Sequence, residues 1–281
     1  MDLETFQRLL LALLSEFERR YYFQEALGYE CVDMDHPVYG YMGKDPQAYA
    51  ILRLRKPGLW PVDTRGSYSD DDLFDIVEFV YDNVSKPVSG RHHAYQDCGW
   101  HYVKFDKSEG KREFRESVNA LLRDFGEGWT LSESGEILRL GSDDYAALLD
   151  IPLPRGDDKN VLSRVNLAVR KYRTRASTPD DQRDAVRDLA DVLEFLRGEA
   201  KRVLTKRDES DLFELANSFG VRHHREDQKT DYDPKIWIPW MFYYYLCTIH
   251  ALLSILEREG VPPPKMPETQ NPPTRDAPSG S

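Results

Sequence analysis

The stretch that decides the fold of the second half of the chain runs from residue 178 to residue 204, TPDDQRDAVRDLADVLEFLRGEAKRVL. Thr178 followed by Pro179 predicts a helix start, because a threonine side chain caps free backbone amides and proline fits the first helical position. Asp180 and Asp181 place negative charge at the positive end of the helix dipole. Apolar residues then recur at helical spacing: Val186, Leu189, Leu193, Leu196 and Val203. The stretch therefore predicts a long amphipathic helix.

Three more helices are predicted around this one. Apolar side chains recur at helical spacing over residues 161–175 before it and over 208–220 after it. The last helix covers 233–260 and starts at Asp233, which is again followed by proline. Helices joined by short connections pack as bundles, so residues 156–260 are predicted to form an all-α helical bundle.

The first half of the chain shows mixed periodicity. Residues 3–17 and 70–86 have helical spacing, whereas residues 48–55 (AYAILRLR), 100–105 and 129–140 alternate as strands do. We therefore predict an α+β N-terminal domain with no repeating βαβ order.

Breaks in composition set the domain boundaries. Two prolines and a glycine interrupt residues 150–158, which predicts a linker between an N-terminal domain at 1–155 and the helical bundle at 156–260. The tail at 261–281 is rich in proline and polar residues and cannot bury apolar surface, so it is predicted to be disordered.

Composition narrows the cellular setting. A hydrophobic content of 40% over 281 residues supports packed cores. The cysteines Cys31, Cys98 and Cys247 are few and unpaired in spacing, which fits a reducing compartment, and the N-terminus is not typical of a signal peptide. The apolar stretch 236–256 is interrupted by Pro239 and lacks basic anchors, so we interpret it as a buried helix. These features predict a cytoplasmic protein without a membrane partner.

Charge is distributed unevenly. The net charge of -11 repels nucleic acid at long range, so an RNA partner would have to meet a local basic surface. Residues 159–207 contain thirteen Lys and Arg against seven Asp and Glu. Four cations are grouped there and are candidate RNA contacts: Arg170, Lys171, Arg173 and Arg175. The alternative is an ordinary solvated helix face.

The densest group of reactive side chains lies in residues 215–233, LANSFGVRHHREDQKTDYD. Arginine can hold a phosphate by two parallel hydrogen bonds, and histidine exchanges a proton near neutral pH. RNA cleavage by an internal 2′-hydroxyl needs these groups and no metal or cofactor. The candidate catalytic residues are Asn217, Arg222, His223 and His224, with Arg225 as a further RNA contact. Alternatively, these side chains only cap the end of a helix.

Two longer sequence features resemble a known family. The four predicted helices, with ANSFGVRHH at 216–224 and WIPWMFYYYLCTIHALL at 237–253, resemble the HEPN superfamily of small helical domains. DLFDIVEFVYDNVSKP at 72–87, followed by CGWHY at 98–102, is similar to a variable N-terminal domain of bacterial AbiJ-type abortive-infection proteins. This resemblance implies a helical dimer, metal-independent RNA cleavage and a role in stopping the growth of phage-infected cells, with a phage-derived trigger or regulatory partner.

The chain departs from the HEPN pattern at one point. Active members carry a histidine several residues after the arginine, whereas here His223 and His224 follow Arg222 at once and residues 226–228 (EDQ) occupy the expected positions. Either one of these histidines acts in a shifted geometry, or this chain binds RNA, a nucleotide or a protein without cutting RNA. By this resemblance, Arg222 and Asn217 match the polar motif region of the HEPN family.

Two further groups of residues are candidates for a site: the histidines and cysteine of 93–101 and the aromatic residues of 237–245. His93, Cys98 and His101 could supply three zinc ligands, but the second pair of a specific zinc motif is missing, so we predict a packed turn before a strand and no metal. The same segment could instead stack nucleotide bases on Tyr95, Trp100 and Tyr102. The aromatic residues of 237–245 are too dense for core alone and favour a homodimer contact.

Overall fold

In a computed structural model, the protein is described for residues 1–63, 65–141, 149, 152–154, 158–218 and 233–260. The chain forms two compact units, one of residues 1–146 with 173–176 and one of residues 147–172 with 177–281. The first is a mixed α+β region and the second an all-helical region, as the sequence predicts. The predicted linker at 150–158 lies partly, and the predicted disordered tail wholly, outside the described residues.

The first unit contains five helices and six short strands among its described residues. The helices are α1 (Leu3–Arg19), α2 (Gln24–Leu27), α3 (Pro46–Leu54), α4 (Asp70–Asn83) and α5 (Lys107–Arg123). The strands are β1 (Gly28–Tyr29), β2 (Val38–Tyr39), β3 (Lys86–His93), β4 (Gly99–Asp106), β5 (Trp129–Leu131) and β6 (Ile137–Arg139). They pair antiparallel as β1 with β2, β3 with β4 and β5 with β6.

The core of the first unit is built around α4. Ser69 caps this helix in a reciprocal capping box with Asp72, in agreement with the predicted start. The helices α1 and α5 pack around it and contribute large apolar side chains that are fully buried. These include Phe6, Phe17, Leu73, Ile76, Phe114 and Leu122.

A polar network is centred on Glu113 of α5 and joins this helix to β3 and to the chain between α1 and α2. Glu113 accepts hydrogen bonds from Lys86 at 2.6 Å and Arg20 at 2.7 Å, and a third from the Tyr22 hydroxyl. The Glu113 side chain is only 18% exposed, so these donors replace the water that a carboxylate would otherwise bind.

The strand predicted for residues 48–55 is wrong. Residues 48–54 belong to α3 and Arg55 is its C-cap; the N-cap Asp45 accepts a hydrogen bond from the Ala48 amide at 2.9 Å. Pro46 then occupies the first helical position. The cap and proline determine the structure here, and the apolar-basic alternation reflects a helix with only Ala50 fully buried and Leu52 facing solvent.

The second unit contains four helices in its described part, preceded by a π-helical turn at Asp158–Leu162. They are α6 (Ser163–Arg173), α7 (Pro179–Val203), α8 (Lys206–Ser218) and α9 (Pro234–Arg258). The cap-and-proline starts at Thr178 and Asp233 are both confirmed. The third helix begins earlier than predicted, because Thr205 and not Asp208 accepts the first-turn hydrogen bond.

Helices α7 and α9 pack along each other and form the core of the second unit. Leu189, Leu193 and Leu196 of α7 are fully buried against Phe242 and Ile249 of α9 and their neighbours. By length and composition α9 could cross a membrane, and half of its most apolar window is buried inside the protein.

Candidate functional site

The predicted catalytic group connects the last two helices of the second unit. The described backbone of α8 ends at Ser218 and α9 begins at Pro234. Arg222, His223, His224 and Arg225 lie outside the described residues, as does the side chain of Asn217. Their catalytic and RNA-binding roles therefore stay predictions.

Lys171, Arg173 and Arg175, which are predicted to contact RNA, each contact a residue of their own unit. Lys171 forms an ion pair with Asp188 in the second unit. In the first unit, Arg173 is 5% exposed and its Nε donates to the Arg139 carbonyl oxygen at 2.8 Å. These contacts occupy groups that RNA phosphates would need.

Arg175 is engaged in the same way. Its guanidinium forms an ion pair with Asp75 and lies 3.7 Å from Glu78 on α4. Burial by itself lowers the pKa of Arg175, but these carboxylates outweigh it and raise the pKa, so the group stays charged. Arg170, the fourth cation, is exposed on α6. RNA binding by the four cations remains a prediction.

An apolar cavity of about 470 Å³ lies between α6 and α9 in the second unit. Leu162, Val165, Val169 and Leu246 contribute to its wall, and His250 is one of its few polar groups. The helical spacing of these residues contains no signal for a cavity.

Four potential metal ligands lie together in the first unit: Cys31, His93, Cys98 and His101. Cys31 belongs to the loop after β1, His93 ends β3, Cys98 follows a turn, and His101 is the third residue of β4. One ligand atom from each residue can be chosen so that all four lie within 4.8 Å of one another. Three of these residues could be grouped from the sequence, whereas Cys31 lies too far away in the chain to be recognised with them.

The β3–β4 hairpin brings the two imidazoles to one face. Arg91 pairs with His101 and His93 pairs with Gly99 in the antiparallel register. Alternate residues of a strand share a face, so His93 and His101 are diagonal neighbours, and their ring centroids are 5.6 Å apart. Gly99 has a φ of +90°, a conformation that glycine adopts without strain, and it turns the chain between Cys98 and His101.

Gln24 on α2 positions the hairpin beside the loop that carries Cys31. Its side-chain amide donates to the Trp100 carbonyl oxygen at 2.8 Å and accepts from the Tyr102 amide at 2.7 Å. Because α2 leads directly into β1, these two hydrogen bonds connect the β1 loop to β4. This contact explains how Cys31, so distant in sequence, reaches the histidines.

The polar atoms of the cluster face one another in two sulfur-nitrogen pairs. Cys31 Sγ lies 3.7 Å from His93 Nδ1, and Cys98 Sγ lies 3.2 Å from His101 Nε2. The other nitrogen of His93, Nε2, lies 3.1 Å from Asp33 Oδ2. A carboxylate at this position favours a proton on Nε2 and leaves the Nδ1 lone pair directed toward Cys31.

His101 is the most deeply placed member of the cluster, with an exposed fraction of 6%. The ring of Tyr29 stacks on its imidazole at a centroid distance of 4.2 Å. Burial lowers the pKa of His101, and the neighbouring His93 and Arg91 lower it further. Neutral imidazole is the form that binds a metal ion.

Two of the aromatic residues predicted as alternatives for base stacking, Trp100 and Tyr102, lie on the opposite face of the hairpin, whereas the ring of Tyr95 lies 6.3 Å from that of His93. The rings of Trp100 and Tyr102 stack at 5.5 Å, and Trp100 is 38% exposed. Tyr95, in the turn, is 61% exposed. Their binding to nucleotide bases stays a prediction.

Comparison with known proteins finds no match, whether among family models, curated proteins or solved structures. The resemblance to HEPN proteins therefore rests on the residues quoted above.

Proposed function

We propose that this protein is an HEPN-like, metal-independent endoribonuclease of antiphage defence, with its active-site residues in the chain segment between α8 and α9. The observation that carries the proposal is the chain segment between α8 and α9, which places one guanidinium and two imidazoles in consecutive positions. The connection between two helices of a bundle is a position from which such side chains can meet a phosphodiester.

The proposed chemistry uses an internal nucleophile. One histidine, His223 or His224, takes the proton from the 2′-hydroxyl as its oxygen forms a bond to phosphorus. The other gives a proton to the 5′-oxygen as the phosphorus–oxygen bond breaks. Arg222 stabilises the charge on the phosphorane, and Asn217 orients a histidine. The products are a 2′,3′-cyclic phosphate and a 5′-hydroxyl.

The test compares cleavage of total RNA by the full-length protein and two variants, Arg222→Ala and His223→Ala/His224→Ala, with and without EDTA. Arg207→Ala is the matched control. Arg207 is 90% exposed on α8, and its replacement by alanine removes the same charge as Arg222→Ala. We expect both motif variants to lose cleavage by at least about 100-fold and the control to retain it. An oligonucleotide with 2′-deoxyribose at the cleaved position should resist the wild-type enzyme.

Equal cleavage by all four proteins would remove the motif from catalysis. The spacing departure at residues 226–228 supports a second candidate, a module that binds RNA, a nucleotide or a protein without cutting RNA. Tight RNA binding that depends on Arg222, together with no product in any arm, would decide for this second function.

A further inference from the structure

We propose that Cys31, His93, Cys98 and His101 bind one zinc ion, which fastens the loop after β1 to the β3–β4 hairpin. This site is independent of the proposed nuclease, since its residues belong to the first unit. It revises the expectation of no metal, because the structure supplies the missing fourth ligand.

The spacing of the ligand atoms fits a tetrahedral ion. With Zn–S near 2.3 Å and Zn–N near 2.0–2.1 Å, the edges of a tetrahedron are roughly 3.3–3.8 Å. The Cys31 Sγ–His93 Nδ1 distance of 3.7 Å falls in this range, and the Cys98 Sγ–His101 Nε2 distance of 3.2 Å lies just below it. Because all the ligand atoms are within 4.8 Å of one another, small side-chain rotations complete the site.

The donor set selects zinc. Two thiolates and two imidazoles are the ligands of structural zinc sites, whereas magnesium and calcium prefer oxygen. The two thiols release their protons to solvent on binding, and the resulting negative charges balance the charge of the ion. Cys98 then gives up its thiol contact with the Glu30 carbonyl oxygen at 3.5 Å in exchange for a bond to the metal.

Asp33 supplies a second layer around the site. Its carboxylate lies 3.1 Å from His93 Nε2, on the far side of the ring from the nitrogen that faces Cys31. Histidines that bind metals usually donate their other N–H to such a carboxylate, which fixes the tautomer and the ring orientation. A packed turn without a metal does not require this arrangement.

The site is structural and not catalytic. Four protein ligands complete the tetrahedron and leave no position for water or substrate. The ion joins the loop after β1 to the β3–β4 hairpin, and its ligands Cys31 and His101 are 70 residues apart in sequence. It fastens a loop whose flanking strands, β1 and β2, have only two residues each.

Metal content of the full-length protein tests the proposal directly. Protein expressed with zinc and purified under reducing conditions should contain equimolar zinc by elemental analysis. Cys98→Ser and His101→Asn should lose most of it. The matched controls are Cys247→Ser, a free exposed cysteine of the second unit, and His92→Asn, the neighbouring histidine exposed on β3, and both should keep it.

Cobalt gives a spectroscopic readout that does not depend on a variant folding. Wild-type apoprotein titrated with Co²⁺ should show the visible bands of a tetrahedral ion and the near-ultraviolet absorption of thiolate bonds, and zinc should remove both. Asp33→Asn keeps every ligand, and we expect it to weaken zinc affinity by on the order of 10- to 100-fold.

Three results would overturn the proposal. They are wild-type protein that neither carries zinc nor gives tetrahedral cobalt bands, zinc content unchanged in the cysteine and histidine variants, and a Cys31–Cys98 disulfide found in place of the metal under reducing purification. None of them bears on RNA cleavage, which is measured separately with the motif variants.

Discussion

Glu113 shows how a single partly buried carboxylate links several segments of the first unit. Burial by itself raises the pKa of this group, but the hydrogen bonds from Lys86, Tyr22 and Arg20 outweigh it and hold the pKa below its ordinary value of 4.5. The folded state therefore binds this proton less readily than the unfolded state. Its contribution to stability is complete well above pH 4.5 and is lost as the pH falls through the lower folded pKa.

We predict that Glu113→Gln lowers the free energy of unfolding by about 1–3 kcal/mol at neutral pH, because three donors lose a charged acceptor. The difference from wild type should shrink as the pH falls below 4.5, where the wild-type carboxylate also becomes protonated. Urea unfolding followed at neutral and acid pH measures both effects.

The matched control is Glu116→Gln on the same helix. Glu116 is 59% exposed and, among the residues that the structure describes, forms an ion pair with Arg112 alone, so the change should lower the free energy of unfolding by less than about 1 kcal/mol. If Glu113→Gln lowered the free energy of unfolding by the same amount at every pH, packing and not charge would account for the destabilisation.

At the scale of elements, the helix start at Thr178 combines three favourable features. The Thr178 hydroxyl accepts from the Asp181 amide at 3.2 Å, the Asp181 carboxylate accepts from the Thr178 amide at 2.9 Å, and Pro179 occupies the first helical position. These bonds satisfy amides that the helix itself leaves free.

We predict that Thr178→Ala lowers the free energy of unfolding by about 1 kcal/mol, since the cap oxygen is removed. Thr178→Ser keeps this oxygen and should stay within about 0.5 kcal/mol of wild type. Chemical unfolding gives the totals, and amide hydrogen exchange should show faster opening confined to the first turn of α7. A similar decrease in the free energy of unfolding for Thr178→Ala and Thr178→Ser would contradict a stabilising role for the capping hydroxyl.

The elements also show what could be predicted from sequence. Helix starts depend on neighbouring residues, so the starts at Thr178 and Asp233 are predicted correctly from the sequence. Asp45 and Pro46 carry the same signal, and the strand predicted for residues 48–55 is wrong because it rests on the alternating pattern instead. Local chemistry therefore predicts boundaries well when caps are given precedence over alternation.

The group of potential metal ligands could be predicted from the sequence only in part. His93, Cys98 and His101 are close in sequence, so their grouping could be recognised. Cys31 lies 62 residues before His93, and contacts between distant segments, such as that of α2 with β4, bring it there. No local pattern contains that information, because it depends on long-range packing.

At the scale of the whole molecule, the aromatic side chains of α9 separate into two groups. Phe242 and Tyr245 are buried, whereas Trp237 and Trp240 are 37% and 38% exposed. Trp240 also stacks on Tyr244 at 5.3 Å, so the exposed rings form a continuous stripe. Such stripes are typical of protein interfaces, and this one supports the proposed homodimer.

We predict that the full-length protein sediments as a dimer and that Trp240→Glu shifts it to a monomer, because a charge would be buried without a partner. Trp100→Glu is a control of equal exposure in the first unit, 38%, and should stay dimeric. Analytical ultracentrifugation distinguishes the two. A wild-type monomer, or a dimer in both variants, would contradict an interface on α9.

The four residues Arg173–Ala176 belong to the first unit although both of their chain neighbours belong to the second. Thr174 pairs with Leu138, and Arg175 binds Asp75, so the segment completes the first unit from a distant point in the sequence. The polypeptide passes from one unit to the other three times. A single division of the gene therefore cannot separate the two units, and recombination that exchanges the first unit would have to include the codons of residues 173–176.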